Sequence, residues 1–148
     1  METFKIPESV LVVIHTPERE VLLIERADNP GFWQSVTGSR DTLDEPFVHT
    51  ALREVFEETG ISASVDSFMD WSVSNTYEIY PAWRGRYAQG VVHNTEHVFS
   101  LCVSAKTPVC LSAREHTAFK WLPHLEAADC CFSPSNAEAI LLLPQFMA

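Results

Sequence analysis

From Pro46 to Gly60 the chain repeats its less polar residues at three- and four-residue intervals: Val48, Leu52, Val55, Phe56 and Thr59. That period predicts an amphipathic helix, with Pro46 suited to the first turn and Gly60 to the stop. The same helix carries Glu54, Glu57 and Glu58. Glu54 and Glu58 are four residues apart, so their side chains stack on one face. Glu57 sits beside them, Arg53 is placed four residues earlier to pair with it, and the apolar residues take the opposite face. Carboxylates crowded on one stripe repel, each like-charge pair costing roughly a few tenths of a kcal/mol. They also lie toward the helix C-terminus, where the macrodipole disfavours negative charge. A hard divalent cation relieves both, and oxygen ligands of this kind suit Mg²⁺ or Mn²⁺.

A bare pair of glutamates reads as a solvated acidic face. The wider spacing reverses that reading. Glu45 precedes Arg53 with seven residues between, and Gly38 lies just before the loop. At roughly 6% usage per residue type, Glu45, Arg53, Glu54, Glu57, Glu58 and Gly60 coincide by chance with a probability on the order of 10⁻⁵.

Around this helix the chain reads as strands. Ser9 to His15 and Val21 to Arg26 are β-branched and aliphatic runs joined through Thr16-Pro17-Glu18-Arg19-Glu20. Phe32 to Val36 is a short aromatic strand leading into a Thr37-Gly38 turn. Strand-like segments follow at about 63–72, 74–80, 95–104 and 117–122. Ser133-Pro134-Ser135 opens a second helix that runs through Glu138 to Leu143 and ends at Pro144. Mixed strands with two distant helices predict a sheet covered on both faces. A length of 148 residues is that of one domain, residues 1–148.

Charge narrows the function. The chain carries 20 acidic against 10 basic residues, a formal net charge of −10. That balance argues against nucleic-acid binding, which needs a basic footprint, and against docking on anionic membranes. No apolar run is long enough to span a bilayer, and the N-terminal residues do not read as a signal peptide. Cys102, Cys110, Cys130 and Cys131 show no zinc spacing and read as reduced thiols of a cytoplasmic protein. The six histidines are scattered and read as structural or surface residues.

The stretch from Gly38 to Ile61 resembles the Nudix box, the signature of hydrolases that cleave a nucleoside diphosphate linked to another group. Six residues, Ser39 to Asp44, separate Gly38 from Glu45 where the family has five. The intact spacing from Glu45 to Arg53 favours an inserted residue over a shifted register that uses Asp44. The resemblance extends along most of the chain. Phe32-Trp33-Gln34-Ser35-Val36-Thr37-Gly38-Ser39, Tyr77-Glu78-Ile79-Tyr80, Asn94-Thr95-Glu96, Glu115-His116 and Phe119-Lys120-Trp121-Leu122 look like the bacterial dihydroneopterin triphosphate pyrophosphatases, also described as dATP pyrophosphohydrolases.

That resemblance implies an α/β/α sandwich around a mixed sheet and a Mg²⁺-dependent pyrophosphohydrolase. It implies 7,8-dihydroneopterin triphosphate as substrate, with a pyrophosphohydrolase of dATP-like nucleotides as the alternative enzyme and a non-catalytic ligand sensor as the alternative class. Glu54 and Glu58 are the expected metal ligands, joined by Glu115 from a loop between strands. Glu57 is either a third ligand on the helix or a group oriented by Arg53; Arg53, Glu57 and Glu58 are the candidate catalytic residues. Lys5 and Arg26 read as surface charges from the sequence alone and as phosphate contacts by the resemblance. Thr37 and Ser133 join them as candidate ligand contacts. Tyr77, Glu78, Ile79 and Tyr80, near Trp83 and Tyr87, either pack a core or stack a flat heterocycle, with Glu78 the candidate partner for its N–H groups. The expected partner is a small-molecule triphosphate, not a nucleic acid or a membrane.

Overall fold

A central strand, β1 (Glu8–His15), is buried from Ser9 to His15 because its sequence is aliphatic on both faces. The computed structural model describes residues 3–147. Strand β6 (His93–Cys102) runs parallel to β1 along its whole length, from Glu8 opposite Thr95 to His15 opposite Cys102. β5 (Phe68–Glu78) pairs antiparallel with the far side of β6. On the other side, β2 (Glu20–Arg26) meets β1 only at His15 and Val21, then diverges.

The segment 33–39 fills the gap between the diverging strands. β3 (Trp33–Gln34) pairs with β2, and β4 (Val36–Ser39) pairs with the first half of β1. The crossing point is Ser35, whose backbone N–H donates to Asn136 Oδ1 at 2.8 Å while its hydroxyl accepts from Asn136 Nδ2 at 3.0 Å. One expected strand is therefore two, and the expected Thr37-Gly38 turn is instead extended backbone within β4, paired with Leu11 and Val10. β7 (His116–Pro123) covers the outer edge of β2.

Alternate residues of β1 serve opposite cores. Val10, Val12 and Ile14 pack under helix α1 (Phe47–Thr59) with Val55, Ile61 and Phe99. Leu11 and Val13 pack with Trp71, Val98, Ala127 and Ile140, beneath α2 (His124–Cys130) and α3 (Pro134–Leu142). The fold is the expected α/β/α sandwich, with a mixed sheet at its centre. Among the described residues no helix is long and apolar enough to cross a membrane.

Three expectations need correction. Segments 63–72 and 74–80 are one strand, β5, bent by an irregular register between Asp70 and Ser74, where Ser72 takes φ 55°. Helix α2 is not foreseen by the sequence pattern; seven residues are too few to display a helical period, and its buried residues are Ala127 and Ala128, with Cys130 packed beside them. The acidic face of α1 does not lie opposite its buried face. Ala51, Val55 and Glu58 share the buried stripe, while Phe56 is 58% exposed. The sheet opens where β2 leaves β1, so the stripe that meets the core at Val55 meets a cleft at Glu58.

Candidate active site

Helix α1 ends where the sequence predicts. Gly60 takes φ 73°, and its N–H closes on the Phe56 carbonyl, which fixes the last turn bearing Glu57 and Glu58. Gly38 serves a close approach. A Cβ there would lie 2.1 Å from Cδ of Glu54, so only glycine lets that carboxyl group pack onto β4.

Arg53 ties this turn to the loop before it. It donates to Glu45 through Nε and Nη2 at 3.2 and 3.0 Å, to Glu54 Oε1 at 2.8 Å, and to the Ser39 carbonyl at 3.0 Å. Its expected partner Glu57 is the more distant contact, at 3.5 Å, and more than half exposed. Glu45 also accepts from the Thr50 hydroxyl at 2.6 Å and from the Asp41 N–H at 3.0 Å. The Arg53 guanidinium, against the effect of burial, holds the Glu45 carboxyl down to about 2. Burial works against the charge of Arg53, but Glu45 and Glu54 outweigh it and raise its pKa. Of Asp44 and Glu45 at the end of this loop, it is Glu45 that engages Arg53, with Asp41 also 3.2 Å from its Nε, and the extra residue is taken up within 39–44.

Glu58 is 2% exposed, and neither carboxylate oxygen has a hydrogen-bond partner among the described residues. His116 Nε2 stands 3.6 Å from Oε1, and the Glu54 carboxyl group crowds the same side chain. Glu58, Glu115 and His116 each bring a ligand atom within 4.8 Å of the others. Burial, then the charge of Glu54, pushes the Glu58 carboxyl well above its ordinary value, and burial raises Glu54 as well. Burial first, then Arg26, lowers His116 to about 4, so its ring is neutral near pH 7. Neutral imidazole with unpaired carboxylate oxygens is a donor set short of a cation. His116 reads in the sequence as one scattered histidine; its place beside Glu115 was the only clue.

These groups line a cleft of about 1490 Å³. Phe32 stacks on Phe132 with ring centroids 4.4 Å apart and on Tyr80 at 6.2 Å, and Trp83 meets Tyr80 and Phe132 edge-on. The Arg26 guanidinium lies 4.1 Å from the centre of the Trp83 ring and donates to both Asp28 oxygens at 2.8 Å. Lys5 stands over Tyr87, and Thr37, Gly38 and Ser133 line the same space.

The aromatic segment divides. Tyr77 receives a hydrogen bond from Asn94 Nδ2 at 3.1 Å, and burial, then the Glu96 charge, raises its phenol. Ile79 is 3% exposed and its N–H is committed to the Val92 carbonyl at 2.7 Å. Glu78 is at the rim, 68% exposed and ion-paired with Arg84. The buried carboxyl group in the aromatic half of the cleft is instead Glu96, 4% exposed. It lies on β6, and the sequence alone does not tell which face of β6 meets the cleft.

A profile of the NUDIX domain matches residues 5–143 of the chain. The dihydroneopterin triphosphate diphosphatase of Haemophilus influenzae is 40% identical over 143 residues, 95% of this chain and 89% of that protein. The Escherichia coli protein of the same name is 39% identical over 142 residues, covering 94% of this chain and 93% of its own. The structure of the E. coli dihydroneopterin triphosphate pyrophosphohydrolase superposes with a TM-score of 0.86 at 39% identity, covering 94% of this chain and 95% of that one.

Proposed function

The chain belongs to the NUDIX family, and from that premise we propose that it hydrolyses 7,8-dihydroneopterin triphosphate to the monophosphate and pyrophosphate. The observation that carries the chemistry is Glu58, a buried carboxyl group with both oxygens unpaired at the floor of a cleft. The relatives named for this activity at 39–40% identity, over nearly the whole chain, support the substrate.

The residues fit a hard divalent cation. Mg²⁺, with Mn²⁺ as a substitute, would be held by Glu58 and Glu115, whose ligand atoms lie close together with His116, and by Glu54, whose charge acts on Glu58 from the preceding turn. Bound there, the ion would supply positive charge to neutralise phosphate oxygens and to make a water more acidic. Everything else falls to the protein. Lys5 and Arg26 hold phosphate oxygens, and Arg26 is kept in place by Trp83 and Asp28. The Thr37 and Ser133 hydroxyls supply neutral hydrogen bonds. Arg53 acts at one remove, by fixing Glu54 and the 39–45 loop. The aromatic wall of Phe32, Tyr80, Trp83 and Phe132 takes the flat ring and excludes water. In the reaction the water oxygen bonds to phosphorus and an anhydride P–O bond breaks. Pyrophosphate then leaves, and the water proton passes to one of the carboxylates Glu54, Glu57 or Glu58.

The four cysteines are free of disulfides, in keeping with a reducing cytoplasm as the site of action. One comparison tests the reading: kcat/KM for dihydroneopterin triphosphate, the common dNTPs and ADP-ribose, with and without Mg²⁺. Preference for the pterin, lost without Mg²⁺, is the expected result. Faster turnover of dATP would make the chain a nucleotide pyrophosphohydrolase. No turnover of any substrate would make it a binding module.

A further inference from the structure

Strand β6 carries its core-facing side out into the cleft. Asn94, Glu96 and Val98 alternate on one face; Val98 lies in the core beneath α2 and α3. Asn94 is 1% exposed, and Nδ2 donates to Ser9 Oγ at 2.7 Å and to the Tyr77 hydroxyl at 3.1 Å. Its Oδ1 has no partner among the described residues. Glu96 accepts a single long hydrogen bond, 3.4 Å from Ser135 Oγ, and pairs with no cation among the described residues. A buried acceptor left unpaired costs about 1–3 kcal/mol. Two under-satisfied acceptors, two residues apart on one face and both lining the cleft, are not explained by folding.

Their surroundings define what fits. Among the cations of the cleft, Arg26 lies against Trp83 and Asp28, Lys5 over Tyr87, Arg40 on Glu8 and Arg86 on Asp28, and neither these nor Arg114 forms an ion pair with Glu96 among the described residues. A phosphate group placed against Glu96 would meet a carboxyl group with no positive charge to offset it. A flat ring offering N–H donors would meet Asn94 Oδ1, already stripped of water, and Glu96, which is only 4% exposed. We propose that Glu96 and Asn94 read the head group of the substrate, accepting hydrogen bonds from adjacent N–H donors of a 2-amino-4-oxo heterocycle. The Glu96 oxygens take the ring N–H and one hydrogen of the neighbouring amino group, and Asn94 Oδ1 takes the other. This rests on the proposed function and names where its selectivity lies.

Discrimination follows from the donor pattern. Adenine places a ring nitrogen lone pair beside its amino group, so one Glu96 oxygen would face an acceptor. A site built to pair buried polar groups rejects a ligand that leaves them unpaired far more strongly than an apolar pocket rejects a misfit. Burial holds Glu96 up to about 7, so the group is largely neutral in an empty cleft at lower pH and becomes an acceptor pair when two donors face it. Glu78, exposed and paired with Arg84, gives up little by remaining in water.

The test uses Glu96→Gln, which keeps shape and replaces one acceptor oxygen by a donor. Two measurements are needed: kcat/KM on dihydroneopterin triphosphate and dATP with Mg²⁺, and metal-free binding of neopterin followed by its own fluorescence. The expected result is a loss on the pterin triphosphate exceeding that on dATP by about 30-fold or more, with neopterin binding weakened about tenfold. Partial recovery of pterin turnover by Glu96→Asp would support the carboxylate assignment. Equal losses on both substrates, or unaltered neopterin binding, would overturn the proposal and leave Glu96 a structural residue. The wild-type rate on the pterin triphosphate judges the proposed function separately, since it does not depend on the variant.

Discussion

Gly38 and Glu54 occupy nearly the same space: a Cβ on Gly38 would fall 2.1 Å from the Glu54 carboxyl carbon and 2.4 Å from its Oε2. The two elements that meet there, β4 and α1, are tied together by Arg53 through the Ser39 carbonyl. The contact is between a backbone and the far end of a flexible side chain, so the fold can survive its loss while the site cannot.

Gly38→Ala should therefore separate stability from activity. Glu54 can swing away, so unfolding free energy should fall by only about 1 kcal/mol. Displacing a carboxylate proposed to hold the metal should lower kcat about 100-fold, equivalent to about 2.7 kcal/mol of barrier. Melting curves and initial rates on the same preparation give both numbers. A kcat within about threefold of the wild type would mean that Glu54 does not need this position.

Arg53→Lys keeps the charge and loses the planar fork that reaches Glu45, Glu54 and the Ser39 carbonyl at once. The expected cost is about 2 kcal/mol of stability together with a fall in kcat, because the 39–45 loop and Glu54 lose their common anchor. A double-mutant cycle with Glu45→Gln should show a coupling of about 1–2 kcal/mol. Additive effects would mean that the two side chains do not act as a unit.

How much of this was legible depends on the range over which each feature is specified. Helix α1, its stop at Gly60 and the relation of Glu45 to Arg53 are local, set by spacing within one turn or one loop, and they stand as read. The identity of the buried stripe of α1 is not local. It depends on β1 and β2 parting beyond His15 and Val21, which turns a position that would face the core into one that faces a cleft. The same divergence decides that Asn94 and Glu96 line the site while Glu78, only a bulged strand away, is left at the rim. Alternation along a strand names two faces and does not say which one a ligand meets. His116 escapes a sequence reading for a related reason: its polar neighbours in space, Glu58 at 3.6 Å and Gln34 at 3.5 Å, come from α1 and β3, far away in sequence.

Glu58→Gln tests the unpaired carboxyl group. In the metal-free protein the variant should melt at the same temperature or higher, since a buried acid crowded by Glu54 disappears. With millimolar Mg²⁺ the wild type should gain stability, as any ligand confined to the native state requires. The variant should gain less, and its turnover should fall by about a thousandfold, some 4 kcal/mol. Equal Mg²⁺-dependent shifts in both proteins would place the ion elsewhere.

Glu96 gives stability a pH dependence of definite sign. Burial raises its carboxyl group from 4.5 to about 7. Between those values the unfolded chain releases a proton that the folded protein keeps, so folding weakens as pH rises through this window and levels off above it. The full effect is on the order of 3 kcal/mol, fully present below pH 4.5 and lost by about pH 7. Glu45, held down to about 2, has the opposite sign, but it titrates only below pH 4.5 and so leaves this window undisturbed. Glu58 shares the sign of Glu96, which is why the comparison must be made against a variant. Urea unfolding of the wild type and Glu96→Gln at pH 4.5, 5.5 and 7.5, without metal, should show the wild type losing ground to the variant at each step. Parallel stability curves would mean that water reaches Glu96 freely, and would remove the burial on which its reading of a head group depends.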